Sequence, residues 1–168
     1  MKLRDYQRKS IDSIIDFFTK EKGNPCVVLP TGAGKSVVMA FFIKECLEKW
    51  PDLRFCVVAH VKELILENGA KFESIVKDSV SAGYYSAGLK RKDLDCQVTF
   101  ASIQSIYNKT MNGGIGVFDV ILVDEAHRIP LEGEGRYRQF IEEQTKLNEY
   151  LKVCGFPVTI DEVLIFAS

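Results

Sequence analysis

Leu29-Pro30-Thr31-Gly32-Ala33-Gly34-Lys35-Ser36 is the stretch on which the reading of this chain turns. The apolar run Cys26–Leu29 leads into it as a buried strand, and a helical stretch, Lys35–Lys49, follows. A strand, a glycine-rich turn and a helix in that order make a cradle for phosphate. Gly32 and Gly34 let the backbone turn its N–H groups inward with no Cβ in the way. The helix beginning near Gly34 or Lys35 adds its unpaired N–H groups and the positive end of its dipole. Lys35 is suited to reach β- and γ-phosphates, and the Ser36 hydroxyl to ligate Mg²⁺. Leu29 stands where the general pattern of such loops has its first Gly, which predicts a wider mouth. A turn that merely joins a strand to a helix has no reason to end in Lys-Ser.

The acids come later, in Val123-Asp124-Glu125-Ala126-His127. The apolar run Val120–Val123 predicts a buried parallel strand, so Asp124 and Glu125 fall at the rim of a sheet. Asp124 is expected to hold Mg²⁺ through water, because that ion keeps much of its hydration shell. Glu125 is expected to orient or deprotonate an attacking water, a task that demands placement more than basicity. Asp-Glu after a strand, taken alone, is more often a solvated strand end or a helix N-terminus; the upstream loop is what turns it into a catalytic expectation. His127 either relays nucleotide state to a neighbouring segment or simply packs and hydrogen-bonds.

Strand and helix alternate along the chain. Ile11, Ile14, Ile15 and Phe18 fall at helical spacing, which predicts an amphipathic opening helix that stops near Gly23. Buried strands are predicted at Cys26–Leu29, Phe55–Ala59, Val98–Ala101, Val120–Val123 and Leu151–Cys154, with helices at Lys35–Lys49, Val61–Ile75 and Arg136–Lys146. Such alternation implies an α/β domain with a mainly parallel sheet flanked by helices. Gly113-Gly114-Ile115-Gly116 reads as a turn before a strand, without the context of a phosphate loop. Polar residues gather where successive strands end: the phosphate loop, Ala59-His60-Val61-Lys62, Ser102-Ile103-Gln104-Ser105 and Asp124-Glu125. Open α/β sheets bind ligands at that edge.

With 168 residues the chain is long enough for one substantial domain and short for a two-lobed enzyme. A formal net charge of −1 exerts no global pull on nucleic acid, so any such contact must come from local patches. The five cysteines have an odd count and no CxxC spacing, which argues against a zinc site or disulfide framework and for buried thiols in a reducing compartment. The first residues lack a signal-peptide core and no apolar run approaches spanning length, so the expectation is a cytoplasmic protein without a membrane partner.

The ordered set Leu3-Arg4-Asp5-Tyr6-Gln7, PTGAGKS, AHVKEL, ASIQS and DEAH resembles the first RecA-like domain of superfamily 2 helicases. VLPTGAGKS, AHVKELILEN, SAGLKRKD, SIQSI and VDEAHRIP look most like the bacterial RadD-type DNA-repair ATPases. The similarity spans about residues 3–156. It implies a single RecA-like P-loop domain using ATP and Mg²⁺, with Thr31, Gly32, Ala33, Gly34, Lys35 and Ser36 on the phosphates, Ser36 and Asp124 at the metal, and Lys35, Asp124 and Glu125 as catalytic residues. It further implies that Gln7 reads the adenine edge while Arg4 and Tyr6 seat the base; without the downstream motifs Gln7 would read as a polar residue on an exposed helix face. For nucleic acid, DNA being favoured, it points to His60, Lys62 and Glu63 and to Ser102, Gln104 and Ser105, as phosphate and sugar contacts that position without reading sequence. Lys90-Arg91-Lys92, with Tyr84-Tyr85 and Gly88 before it, is either a further basic patch with aromatics, through Lys90 and Arg91, or a solvated loop.

Residues 1–156 are thus expected to form the ATP-binding domain. The family continues past this point with a Thr-Ala-Thr-Pro or Ser-Ala-Thr segment and a second RecA-like lobe carrying an arginine finger. Residues 157–168 diverge from that pattern and end in the apolar run Val163–Ala167, which leads to the expectation of a truncated or frame-shifted copy of a longer ATPase, set against a natural single-lobe protein. Three readings remain: the ATP-binding lobe of a DNA-repair helicase or translocase, needing a second lobe or another subunit; a non-catalytic nucleotide- or DNA-binding module; and an inert remnant.

Overall fold

A computed structural model describes residues 1–30, 32–124 and 131–157. Its elements run α1 (Asp5–Lys20), α2 (Lys35–Lys49), β1 (Phe55–Ala59), α3 (Lys62–Val76), β2 (Ala82–Ser86), β3 (Arg91–Lys92), β4 (Val98–Ser102), α4 (Ile103–Ile106), β5 (Val120–Asp124), α5 (Leu131–Leu147) and β6 (Lys152–Phe156). The six strands form one sheet in the order β3-β2-β4-β1-β5-β6, and every pairing is parallel except the β2–β3 hairpin.

Period-two alternation along the strands divides the interior into two layers. Phe55, Val57 and Ala59 of β1 face α1, α2 and α3, joining Ile11, Ile14, Val38, Phe42, Ile43, Ile65 and Phe72. Cys56 and Val58 face the other way, onto Ile103 and Ile106 of α4 and Tyr137 and Phe140 of α5. Fully buried aromatics such as Phe42, Phe55, Phe72, Phe100 and Phe118 anchor both layers, each such side chain contributing roughly 1.5–3 kcal/mol by leaving water. The mainly parallel α/β architecture expected from the sequence is the one observed.

Two local expectations are corrected. Cys26–Leu29 does not form a regular buried strand: it makes a single parallel bridge, Cys26 to Gly155, with backbone bonds from Val27 N–H to Gly155 O (2.9 Å) and from Gly155 N–H to Pro25 O (3.0 Å). Pro25 and Pro30 bracket the segment and have no N–H to extend a ladder, and Val28 faces solvent. Conversely, β3 falls in the Lys90-Arg91-Lys92 run read as a basic patch or a solvated loop, and β2 is a strand absent from those expected. Ala82 and Gly83 carry weak strand propensity, which hid β2, yet its Tyr84 and Tyr85 are buried in opposite layers. Those tyrosines are therefore core residues, and neither ring is exposed for a base to stack on.

The helix expected at Arg136–Lys146 extends as α5 from Leu131 to Leu147. Gly114 and Gly116, at φ +71° and +75°, form the turn expected before β5. Among the described residues no helix is long and apolar enough to cross a membrane. The expected tail, apart from Pro157, lies outside them.

Candidate functional site

Parallel register brings the strand ends to one edge. Ala59 pairs with Ser102, Val58 with Val123, and Asp124 with Phe156, so His60, Ile103 and the end of β5 follow along one side of the sheet. The loop preceding α2 reaches the same edge, because Leu29 N–H bonds to Pro157 O just past β6 (3.4 Å).

Gly34 caps α2 in the left-handed region, at φ +81° and ψ +44°, and Gly32 also has φ +81°. These conformations turn the loop in front of the helix N-terminus, where backbone N–H groups lack partners within the helix. A cleft of about 400 Å³ opens there, lined by Gly32, Gly34, Lys35, Ser36, Leu64, Glu67, Asn68, Lys71 and Asp124. Lys35 Nζ lies 3.7 Å from Asp124 Oδ1, and Asn68 Nδ2 donates to Asp124 Oδ2 at 2.8 Å. Asp124 is only 2% exposed, so its carboxyl group is satisfied by protein partners and not by bulk water. The buried carboxylate of Asp124, the Ser36 hydroxyl and the Lys35 ammonium, with Glu67 and Lys71 also on the lining, suit an Mg²⁺–triphosphate in a cleft of this size, since Mg²⁺ binds through one or two carboxylates plus phosphates and water. Among the described residues no group of three His, Cys, Asp or Glu forms a dedicated metal cage.

Beside this cleft is a smaller one of about 280 Å³, lined by Met1, Lys2, Arg4, Gln7, Gly32, Ala33, Gly34 and Val37. Gln7 is buried and works at both ends of its amide. Its Oε1 accepts from Arg4 N–H at 2.9 Å, capping α1, while its Nε2 donates to Ala33 O at 3.1 Å. Tyr6 OH donates to the same carbonyl at 2.7 Å, and Arg4 Nη1 reaches Tyr6 OH at 3.4 Å. The three residues expected at the base therefore meet, and two of them fasten α1 to the glycine-rich loop. An amide has two N–H groups and two lone pairs, so Gln7 keeps capacity for a ligand.

The residues assigned to nucleic acid also converge. Gln104 Nε2 donates to His60 O at 2.9 Å, tying the start of α4 to the loop before α3. Ser102 Oγ donates to Ser105 Oγ at 2.8 Å, and Ser105 Oγ accepts from Ala87 N–H at 2.9 Å. Both hydroxyls are thus engaged within the protein, whereas Lys62, Glu63 and Gln104 are exposed. Lys90 is exposed at φ +54° in the turn between β2 and β3. Arg91 pairs with Asp93 and lies 4.6 Å over the Tyr84 ring, which commits its guanidinium locally. Thr31, Glu125 and His127 lie outside the described residues. Asn68 is the site residue that sequence reasoning passed over; the one signal was an amide inside an otherwise ordinary helical stretch.

The family model described as type III restriction enzyme, res subunit, matches residues 1–159. The chain is 24% identical to the putative ATP-dependent helicase IRC3 of Saccharomyces cerevisiae, over 95% of its own length and 24% of that protein. It is 28% identical to the putative mitochondrial ATP-dependent helicase irc3 of Schizosaccharomyces pombe, over 77% of this chain and 21% of that one. The chain thus spans about a quarter of the length of these curated relatives. The crystal structure of the UvsW helicase from bacteriophage T4 superposes with a TM-score of 0.74 at 15% identity, covering 99% of this chain and 58% of that one. The nuclease-deletion mutant of the type ISP restriction-modification enzyme LlaGI, solved with a DNA substrate mimic, gives 0.65 at 14%, over 95% and 18%. The fold is that of a helicase RecA-like domain, and the chain belongs to the family of the type III restriction enzyme res subunit.

Proposed function

We propose that this chain is the ATP-binding lobe of an ATP-dependent motor on nucleic acid, DNA by preference, of the RadD-like DNA-repair kind. The observation that carries the reading is the 3.7 Å approach of Lys35 to Asp124 beneath a loop whose Gly32 and Gly34 are both left-handed. In this reading the loop N–H groups and Lys35 hold the β- and γ-phosphates, and Gln7, Tyr6 and Arg4 seat the base. Ser36 and Asp124 would hold Mg²⁺, which neutralises phosphate charge. Glu125 orients the attacking water. The exposed Lys62, Glu63 and Gln104 give the same edge a track for a sugar-phosphate backbone.

Residues 1–156 form the lobe in this proposal, and a second RecA-like lobe, in the same protein or another subunit, completes the catalytic centre. An arginine supplied from such a lobe is worth about 10³–10⁵ in rate in well-studied phosphoryl transfers, so the chain alone turns over slowly. We place it in the cytoplasm, which cell fractionation checks. The test of function is steady-state ATP hydrolysis with and without single-stranded DNA, beside Lys35→Ala. DNA-stimulated turnover lost in the variant supports the motor reading. Equal turnover in both proteins overturns the site. Nucleotide binding without turnover, even with a second lobe added, moves the chain to a non-catalytic binding module.

A further inference from the structure

We propose that Asn68 is a positioning residue for the carboxylate of Asp124, holding it in the orientation that receives the metal. The inference rests on the nucleotide-site reading above and adds a residue to it.

Asn68 sits in the interior of α3, where an amide side chain is a poor helix former because it competes for backbone bonds. It is also 4% exposed, and burying an amide without a partner costs free energy. Both costs are offset by one contact, Nδ2 to Asp124 Oδ2 at 2.8 Å. A carboxyl oxygen is a strong acceptor for an amide N–H, and both groups lie in a site shielded from water. Leu64, Glu67, Asn68 and Lys71 follow helical spacing along one face of α3, and all four line the cleft that holds Lys35 and Ser36. Asn68 thus takes one oxygen of the carboxylate from the α3 side, and Lys35 faces the other. The bond at Oδ2 restrains rotation of the carboxyl group and presents Oδ1 towards Lys35, where a phosphate-bound cation would approach. Groups that orient a metal ligand in this way commonly change metal affinity 10- to 100-fold when removed.

The experiment measures binding of a fluorescent ATP analogue to the full chain at fixed nucleotide while Mg²⁺ is titrated. The chain is compared with Asn68→Ala, Asn68→Gln, Asp124→Asn, the double variant Asn68→Ala/Asp124→Asn and Lys35→Ala, each checked for folding by thermal melting. Asn68→Ala is expected to raise the Mg²⁺ concentration for half-maximal binding about tenfold or more, with Asn68→Gln between it and the parent. Binding in EDTA should be unchanged, and Asn68→Ala should add nothing once Asp124 is Asn. A merely structural role would lower the melting temperature without moving the Mg²⁺ midpoint, and that result overturns the proposal. A midpoint shift that persists in the Asp124→Asn background overturns it too. If Asn68→Ala does not fold, Asn68→Gln carries the same comparison. Parent binding that Lys35→Ala leaves intact, or no parent binding at all, strikes down the nucleotide site and this proposal with it. Parent binding lost in Lys35→Ala, with parent-like midpoints in the Asn68 variants, strikes down the proposal alone.

Discussion

Lys35 Nζ faces Asp124 Oδ1 at 3.7 Å, linking the first turn of α2 to the last residue of β5, with the two side chains only 10% and 3% exposed. A bound nucleotide would come between them, taking the ammonium on its phosphates and the carboxylate at its metal. Lys35→Ala is therefore expected to lower any turnover by about 10²-fold or more, the scale of losing one charge-stabilising donor. Glu125→Gln should slow hydrolysis while leaving nucleotide affinity near that of the parent. Parallel hydrolysis and nucleotide-binding assays check both, and parent-like hydrolysis in both variants would refute the assignment.

Gly34 and Gly32 share φ +81° but differ in surroundings. A Cβ on Gly34 would stand 2.5 Å from Gln7 Nε2, whereas nothing lies within 4 Å of one on Gly32. Gly32→Ala should cost only left-handed strain, about 1–2 kcal/mol. Gly34→Ala should cost that and also displace Gln7 from Ala33 O. Thermal melts of the two variants check the order, and equal losses would show that Gln7 yields freely.

Gln144 is fully buried on α5 and holds the turn before β5 together. Its Oε1 accepts from Phe118 N–H at 2.9 Å, and its Nε2 donates to Gly116 O at 3.0 Å and Thr110 Oγ1 at 3.2 Å. Gln144→Leu leaves a buried backbone N–H without its acceptor, at a cost of about 1–3 kcal/mol. Urea unfolding should show the lowered midpoint, with nucleotide affinity unmoved because none of the four residues lines the cleft.

Burial disfavours the thiolate at all five cysteines, Cys26 included. Cys46 is pushed up to about 12, and Cys56, Cys96 and Cys154 also rise, in each case by desolvation first. Their folded values lie above the unfolded one, so the folded state keeps protons that the unfolded chain gives up. Stability from this source is intact below about pH 8.5 and falls as pH rises past it. Urea midpoints at pH 7.5 and 10 should differ, and Cys56→Ala should reduce the difference. At pH 8 the half-buried Cys26 should be the first thiol to react with a disulfide reagent, as peptide mapping would reveal.

Much of the fold was legible because its signals are local and repeated. Lys35–Lys49 was expected as a helix and is α2 to the residue; Phe55–Ala59 was expected as a strand and is β1. Both combine a long apolar pattern with a clear boundary, and the glycine-rich loop marks where strand gives way to helix. β2 escaped because Ala82 and Gly83 carry little propensity, and its place beside β4 depends on a pairing partner sixteen residues further on in the register, Ala82 with Val98. The Cys26 segment failed as a strand for the opposite reason: its apolar run promised a ladder that flanking prolines do not permit.

The site divides along the same line. The sequence by itself determined that a glycine-rich loop, an acidic strand end and a basic, polar series would share one sheet edge, since parallel alternation sends successive strand ends the same way. It singled out Lys35, Ser36, Gln7 and Asp124 as candidates for that edge. Only the tertiary structure decided that Gln7 fastens α1 to Ala33, that Arg91 is spent on Asp93 and Tyr84, and that Asn68 reaches Asp124. Those contacts join residues from different elements, and their geometry follows from how the helices settle on the sheet. Spacing along the chain carries no record of that packing.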